Sequence, residues 1–158
     1  LPMTGEGMLK FSPMDVDVHA QNSESTETLQ VVDVRNINSE MERGTAQIQT
    51  SVFFNKSMDI TGDPTEFSLS FHAIASNENN ENASIAHEEF YLESDLNPST
   101  WEELKQDFIL PNGTEFVIVS MTARMDGSHV LLPSEGGHYA DGLTINVSID
   151  GQDTVGPL

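Results

Sequence analysis

The fold is decided by the stretch Gly136-Gly137-His138-Tyr139-Ala140-Asp141-Gly142-Leu143-Thr144-Ile145-Asn146-Val147, where a glycine-rich loop leads into an alternating strand. Upstream lie a strand led by Trp101 and the turn Leu110-Pro111-Asn112-Gly113-Thr114, followed by a second apolar strand. Proline and glycine mark the turn, and alternation marks the strands. This order of elements is typical of the closing strands of a jelly-roll β-sandwich.

The same pattern of short alternating segments separated by turn residues runs along the whole chain. We predict about eight strands, at residues 7–12, 28–35, 45–54, 66–76, 84–93, 101–110, 115–124 and 139–149. Eight short strands with polar turns favour two stacked antiparallel sheets, so we expect one all-β, jelly-roll domain over residues 1–158. An immunoglobulin-like sandwich is the alternative.

Two segments predict where strands lie in the sheets. In residues 66–74 the period of two places Phe67, Leu69, Phe71 and Ala73 on one face. Residues 116–123 form a nearly continuous apolar run, which predicts a central strand covered on both faces. Residues 37–43 predict one helical turn, capped by Asn38 or Ser39.

The charge balance limits the partners. There are 26 acidic and 6 basic residues, a formal net charge of −20, which disfavours nucleic acid and anionic lipid surfaces. A solvated acidic surface is the simpler interpretation, and cation binding by acidic pairs such as Asp15 and Asp17 is the other. The chain has no cysteine, which excludes disulfides, and we expect no membrane insertion because no apolar run is long enough.

No local motif predicts catalysis. The sequence has no nucleophile elbow, phosphate loop or dinucleotide fingerprint, and its five histidines show no zinc-binding spacing. We therefore expect a non-catalytic protein.

Aromatic residues beside polar groups are the candidates for sugar binding, because the apolar faces of sugars stack on aromatic rings. Tyr91, Trp101, Tyr139 and His138 meet this description. Tyr91 is the first choice, since alternation turns it away from Phe90 and Leu92. Trp101 is predicted more strongly to be a core residue.

Four positions carry the acceptor pattern for N-linked glycans, Asn-x-Ser/Thr without an intervening proline. They are Asn55, Asn82, Asn112 and Asn146.

The closing segments together resemble the galactose-binding-like jelly-roll domains. This group includes many carbohydrate-binding modules and domains of exported bacterial surface proteins, and the resemblance rests on residues 101–104, 110–117 and 137–143 with the early segment 5–11. It implies an extracellular or cell-surface module that binds a polysaccharide or a cell-surface glycan. It also implies a structural Ca²⁺ held by Asp141, with Glu6 as a further ligand.

Members of that group usually begin with an earlier strand, and this sequence starts after its place. A sandwich that lacks a strand exposes an edge to which another chain can add one. The alternative function is therefore a subunit of an extracellular filament, tube or sheath assembled from identical chains by strand exchange. The stretch 11–34 is the candidate for the exchanged arm.

Overall fold

The chain folds into two antiparallel β-sheets stacked face to face. The computed structural model describes residues 8–11, 24–56, 65–76, 82–95, 97–125, 137–149 and 152–154. Within them lie nine strands: β1 Leu9–Phe11, β2 Glu24–Asp33, β3 Ala46–Lys56, β4 Thr65–Ser76, β5 Asn82–Glu93, β6 Glu102–Ile109, β7 Phe116–Met125, β8 His138–Ile149 and β9 Gln152–Thr154. A 3₁₀ turn, Arg35–Ile37, and a short helix α1, Asn38–Glu42, follow β2.

The strand order is that of a jelly roll. Sheet A has the order β1-β8-β3-β6, with β9 paired to the end of β8, and sheet B has the order β2-β7-β4-β5. Thus the first strand pairs with the eighth, the second with the seventh, the third with the sixth and the fourth with the fifth. A long hairpin rolled into two sheets produces this pairing. The predicted fold class is confirmed, and the order differs from that of an immunoglobulin-like sandwich.

The core lies between the sheets and is rich in phenylalanine. Phe67, Leu69, Phe71 and Ala73 of β4 are all 0% exposed, as the alternation predicted. The Phe54 ring of sheet A stacks on Phe67 with centroids 4.6 Å apart, and Phe108 stacks on Phe71 at 5.3 Å. Each fully buried ring stabilises the fold by about 1.5–3 kcal/mol, so these pairs hold the two sheets in register.

The predicted central position of the strand at residues 116–123 is confirmed, but its predicted cover on both faces is wrong, because the outward Ile118 and Thr122 are only half-buried. The run 116–123 lies in β7, which sits between β2 and β4 in sheet B. Its inward side chains, including Val117 and Val119, are buried.

The helical turn forms where it was predicted, but its predicted cap is wrong. Ile37 occupies the N-cap of α1 and makes no side-chain capping hydrogen bond. The Ser39 hydroxyl instead donates to Glu40 Oε2 at 2.7 Å. Ile37 and Met41 are buried, so packing on the core holds this helix, as is usual for so short an element.

All eight predicted strands correspond to observed ones, with shifted ends. β2 begins at Glu24, four residues earlier than predicted, because backbone pairing with β7 continues through its polar start. Residues 24–33 of the predicted exchanged arm therefore belong to sheet B of the same chain, while 12–23 lie outside the described residues. The single domain over residues 1–158 stays a prediction.

No helix in the described ranges is long and apolar enough to cross a membrane.

Candidate functional site

The outer face of sheet B carries a strip of small hydroxyl side chains along its two central strands. Ser68 and Ser70 of β4 lie directly opposite Thr122 and Ser120 of β7. These four residues alternate with core residues and so point away from the other sheet. The Ser70 and Ser120 hydroxyl oxygens are 2.7 Å apart and share a hydrogen bond. We call these four residues the hydroxyl floor.

Larger side chains border the hydroxyl floor on both sides. On β2, Leu29 is 58% exposed, and on β5, Tyr91 is 57% exposed. The register places Leu29 opposite Ser120 and Tyr91 opposite Ser68, while Glu27 lies opposite Thr122 and Glu89 opposite Ser70. Because neighbouring strands are about 4.8 Å apart, the two borders are separated by roughly 14 Å. Ser68, Ser70 and Ser120 are only 3–5% exposed, which makes the floor the bottom of a shallow groove.

Two histidines continue the groove beyond the floor. His72 of β4 lies opposite His87 of β5, and their rings stack with centroids 4.1 Å apart and an interplanar angle of 21°. Burial lowers the pKa of His72, and the neighbouring His87 lowers it further, against the opposite effect of Glu27 and Glu89. His72 is therefore uncharged at neutral pH.

Tyr91 is placed as the sequence predicted, exposed and turned away from the half-buried Phe90 and Leu92. A hydrogen bond with Glu89, which also lies on β5, raises the pKa of the Tyr91 hydroxyl. The hydroxyl therefore stays protonated and is held towards the Glu89 carboxylate. Because Tyr91 is 57% exposed, its ring is accessible for stacking beside the hydroxyl floor.

Trp101 and Tyr139 lie on the other sheet, away from Tyr91. Tyr139 is on the outer face of sheet A, opposite Lys10 and Asn55, with the Lys10 Nζ 5.8 Å from its ring centroid. Trp101 immediately precedes β6 and is half-buried, so the expectation that it is a core residue is wrong. The chain turns at residues 97–100 just before β6, where the Thr100 N–H donates to the Asn97 carbonyl at 3.0 Å.

His138 is a core residue and not the loop-edge ligand contact that the sequence suggested. It is 9% exposed, and its Nε2 is 2.9 Å from the Thr65 hydroxyl, a hydrogen bond between the two sheets. Its ring also meets the Phe67 ring edge-on at 6.0 Å. β8 begins at His138 itself, and this residue takes an inward-facing position of the strand.

Of the two predicted calcium ligands, Asp141 and Glu6, only Asp141 lies among the described residues. Asp141 is 9% exposed, and its Oδ1 accepts the backbone N–H of Gly142 at 2.7 Å. Glu6 lies outside the described residues. Within the described ranges no group of three or more His, Asp or Glu side chains is arranged to hold a metal ion. Since Ca²⁺ takes six to eight oxygen ligands, these residues alone do not fit it, and the calcium site stays a prediction.

The four candidate glycan acceptors differ in accessibility. Asn82 and Asn112 are exposed, and Asn146 is half-buried on β8. Asn55 is 7% exposed, and its Nδ2 donates to the carbonyls of Pro98 and Thr100. A glycan on Asn55 Nδ2 would replace one of the N–H groups that make these hydrogen bonds and would need space at a buried side chain, so the folded chain disfavours this acceptor.

The sequence reasoning missed the hydroxyl floor and its border on β2. The signal was present in Phe67-Ser68-Leu69-Ser70-Phe71-His72, where the face opposite the core carries serine, serine and histidine. Local alternation does not reveal which other strands lie beside β4 and continue its outward face.

Neither a protein-family model nor a curated protein matches this chain. Solved structures of similar fold include TmCBM61 in complex with β-1,4-galactotriose, with 8% identity, a TM-score of 0.46 and coverage of 79% of this chain and 64% of that one. The CBM22-1–GH10 modules of Clostridium thermocellum xylanase 10B, complexed with xylohexaose, show 14% identity, a TM-score of 0.44 and coverage of 89% and 29%.

A third similar structure is the enzymatically active domain of tailspike protein 4 from bacteriophage CBA120. It shows 10% identity, a TM-score of 0.48 and coverage of 78% of this chain and 14% of that one. Two of these three structures contain carbohydrate-binding modules, as the sequence resemblance predicted. The chain spans just under two thirds of the first structure and much less of the others. With TM-scores below 0.5, these likenesses do not indicate what this chain binds.

Proposed function

We propose that the protein is a non-catalytic carbohydrate-binding module that holds a neutral glycan along the outer face of sheet B. The observation that carries this proposal is the hydroxyl floor, which lies between the exposed Tyr91 of β5 on one side and the exposed Leu29 of β2 on the other.

The chemistry of the groove suits sugar hydroxyls. A serine or threonine hydroxyl both donates and accepts, so it complements a sugar hydroxyl in either role. Tyr91 and Leu29 offer apolar surface to the C–H faces of the ring. With a net charge of −20, the chain repels acidic polysaccharides, which leaves neutral glycans as the ligand class.

The expected affinity is modest. A stacking contact contributes about 0.5–1.5 kcal/mol, and each neutral hydrogen bond contributes about 0.5–1.5 kcal/mol net. One stacked ring and two or three hydrogen bonds therefore give a few kcal/mol, which corresponds to a dissociation constant near 1 mM, or about −4.1 kcal/mol.

Export and a structural Ca²⁺ belong to the same proposal. Structural polysaccharides and cell-surface glycans lie outside the cell, so a module that binds them acts there. The support for calcium is that Asp141 lies near the start of β8, where the family resemblance expects a ligand.

The test is a glycan array of neutral oligosaccharides, followed by calorimetry on the best ligand with Tyr91→Ala and Tyr91→Phe. We expect Tyr91→Ala to weaken binding about tenfold, equal to about 1.4 kcal/mol, and Tyr91→Phe to retain it because the ring is kept. A Trp101→Ala control should bind normally. Loss of binding in Trp101→Ala with normal binding in Tyr91→Ala would move the site to sheet A, and no binding to any neutral glycan would refute the proposal.

A second candidate function is an assembly subunit built by strand exchange, and the edge of sheet A favours it. β1 pairs with residues 138–140 of β8, and β9 pairs with residues 147–149. Among the described residues, 144–146 have a strand partner only on the side of β3. A strand from a second copy would fill this gap. Light scattering with Ca²⁺ and after chelation tests it: large particles support assembly, and monomers in both conditions argue against it.

A further inference from the structure

The stacked histidine pair on the outer face of sheet B has a chemistry of its own, separate from glycan binding. His72 and His87 face each other across β4 and β5, with ring centroids 4.1 Å apart. His87 is exposed and His72 is half-buried, so both rings are reached from solvent. Cross-strand partners in an antiparallel sheet are held at a constant separation by the backbone, so the two imidazoles stay close together.

The protonation state of the pair suits a metal ligand. Two imidazolium rings at this separation would repel each other, so the stacked arrangement requires at least one neutral ring. A neutral imidazole presents a nitrogen lone pair, and imidazole is a preferred ligand of Zn²⁺, Ni²⁺ and Cu²⁺. Burial and the charge of His87 lower the pKa of His72, which keeps this ring in its ligating form at neutral pH.

The electrostatic surroundings favour a cation at this place. Glu27 of β2 and Glu89 of β5 both act on His72 through their negative charge. The whole chain carries a net charge of −20, which raises the local concentration of divalent cations. In the same row of the sheet, Val31 and Ile118 offer no competing polar group.

We propose that His72 and His87 together bind one divalent transition-metal ion on the outer face of sheet B. The rings are stacked rather than convergent, so binding turns one ring about its χ2 torsion, which is broad and cheap to rotate. No third His, Asp or Glu ligand is in place among the described residues. Water therefore completes the coordination, which leaves the ion open to a further ligand.

The experiment is calorimetric titration of the intact chain with Zn²⁺ and Ni²⁺ alone, in a buffer that does not bind metals. We expect a site of one ion per chain, weakened at least about tenfold in His72→Ala and likewise in His87→Ala. The control is the double variant His19→Ala/His129→Ala, which removes two other histidines and should bind as the original chain does. Far-ultraviolet circular dichroism verifies that each variant is folded, and His72→Asn and His87→Asn replace any variant that is not.

A second measurement identifies the ligating atoms. Addition of Cu²⁺, which is paramagnetic, should broaden the NMR signals of the His72 and His87 imidazoles before those of His138. Equal broadening of all histidines, unchanged binding in the double variant His72→Ala/His87→Ala, or no binding to the original chain would each overturn the proposal. Ca²⁺ serves as a comparison, because its binding should not respond to loss of an imidazole.

Discussion

Thr50 is a buried side chain whose hydroxyl finds no hydrogen-bond partner among the described residues. It lies on the inner face of β3 and is 1% exposed. Its hydroxyl oxygen makes no hydrogen bond within the described part of the chain. Replacement by valine keeps the branched shape and exchanges the hydroxyl for a methyl group, so Thr50→Val should stabilise the fold.

The magnitude follows from the cost of the unpaired hydroxyl. Leaving a buried polar group unsatisfied costs about 1–3 kcal/mol, and this cost disappears in Thr50→Val. Imperfect packing of the new methyl group offsets part of it. We expect a gain of about 1 kcal/mol in the free energy of unfolding, which raises Tm by roughly 2–4 °C for a chain of this length.

Thermal and urea unfolding measure this gain, and Thr65→Val is the matched control. Thr65 is also buried in a strand, but its hydroxyl bonds to His138 Nε2 at 2.9 Å. The control should lose about 1–3 kcal/mol because it removes a buried hydrogen bond between the two sheets. If Thr50→Val destabilises the protein as much as Thr65→Val does, the Thr50 hydroxyl has a partner and the reasoning fails.

Three further predictions concern pH, a turn and calcium. The pKa of His72 is lowered from 6.5 in the folded chain, so the unfolded state takes up the proton first and the free energy of unfolding decreases as pH falls below 6.5. In urea titrations between pH 7 and pH 5, His72→Asn should flatten this decrease. An unchanged slope of stability against pH would contradict the prediction. Gly113 has φ +84° as third residue of the turn closed by the Thr114 N–H and Pro111 carbonyl, so Gly113→Ala should cost about 1–2 kcal/mol in unfolding experiments. If Asp141 holds Ca²⁺, added Ca²⁺ should raise Tm of the original chain but not of Asp141→Asn, and equal Tm values with Ca²⁺ and with chelator would remove calcium from the proposal.

The candidate site was predictable in part. Tyr91 could be placed on a strand's outward face from its neighbours alone, and the structure puts it there. His138 could not be placed, because whether a residue at the end of a loop faces inward depends on where the strand begins. The Thr65 hydroxyl, which forms a hydrogen bond with the His138 ring, lies 73 residues away in sequence.

Sequence alone determined where the strands run and which of their faces is apolar, since side chains alternate along an extended backbone and apolar ones leave water. The burial of Phe67, Leu69 and Phe71 could be predicted from this alternation alone. Only the tertiary structure decided which outward faces adjoin one another. Ser70 meets Ser120 across 50 residues of chain, and His72 meets His87 across a strand pair with a register shift nearby. Such neighbours are set by strand order and register, which depend on the packing of the whole sandwich and not on any local stretch.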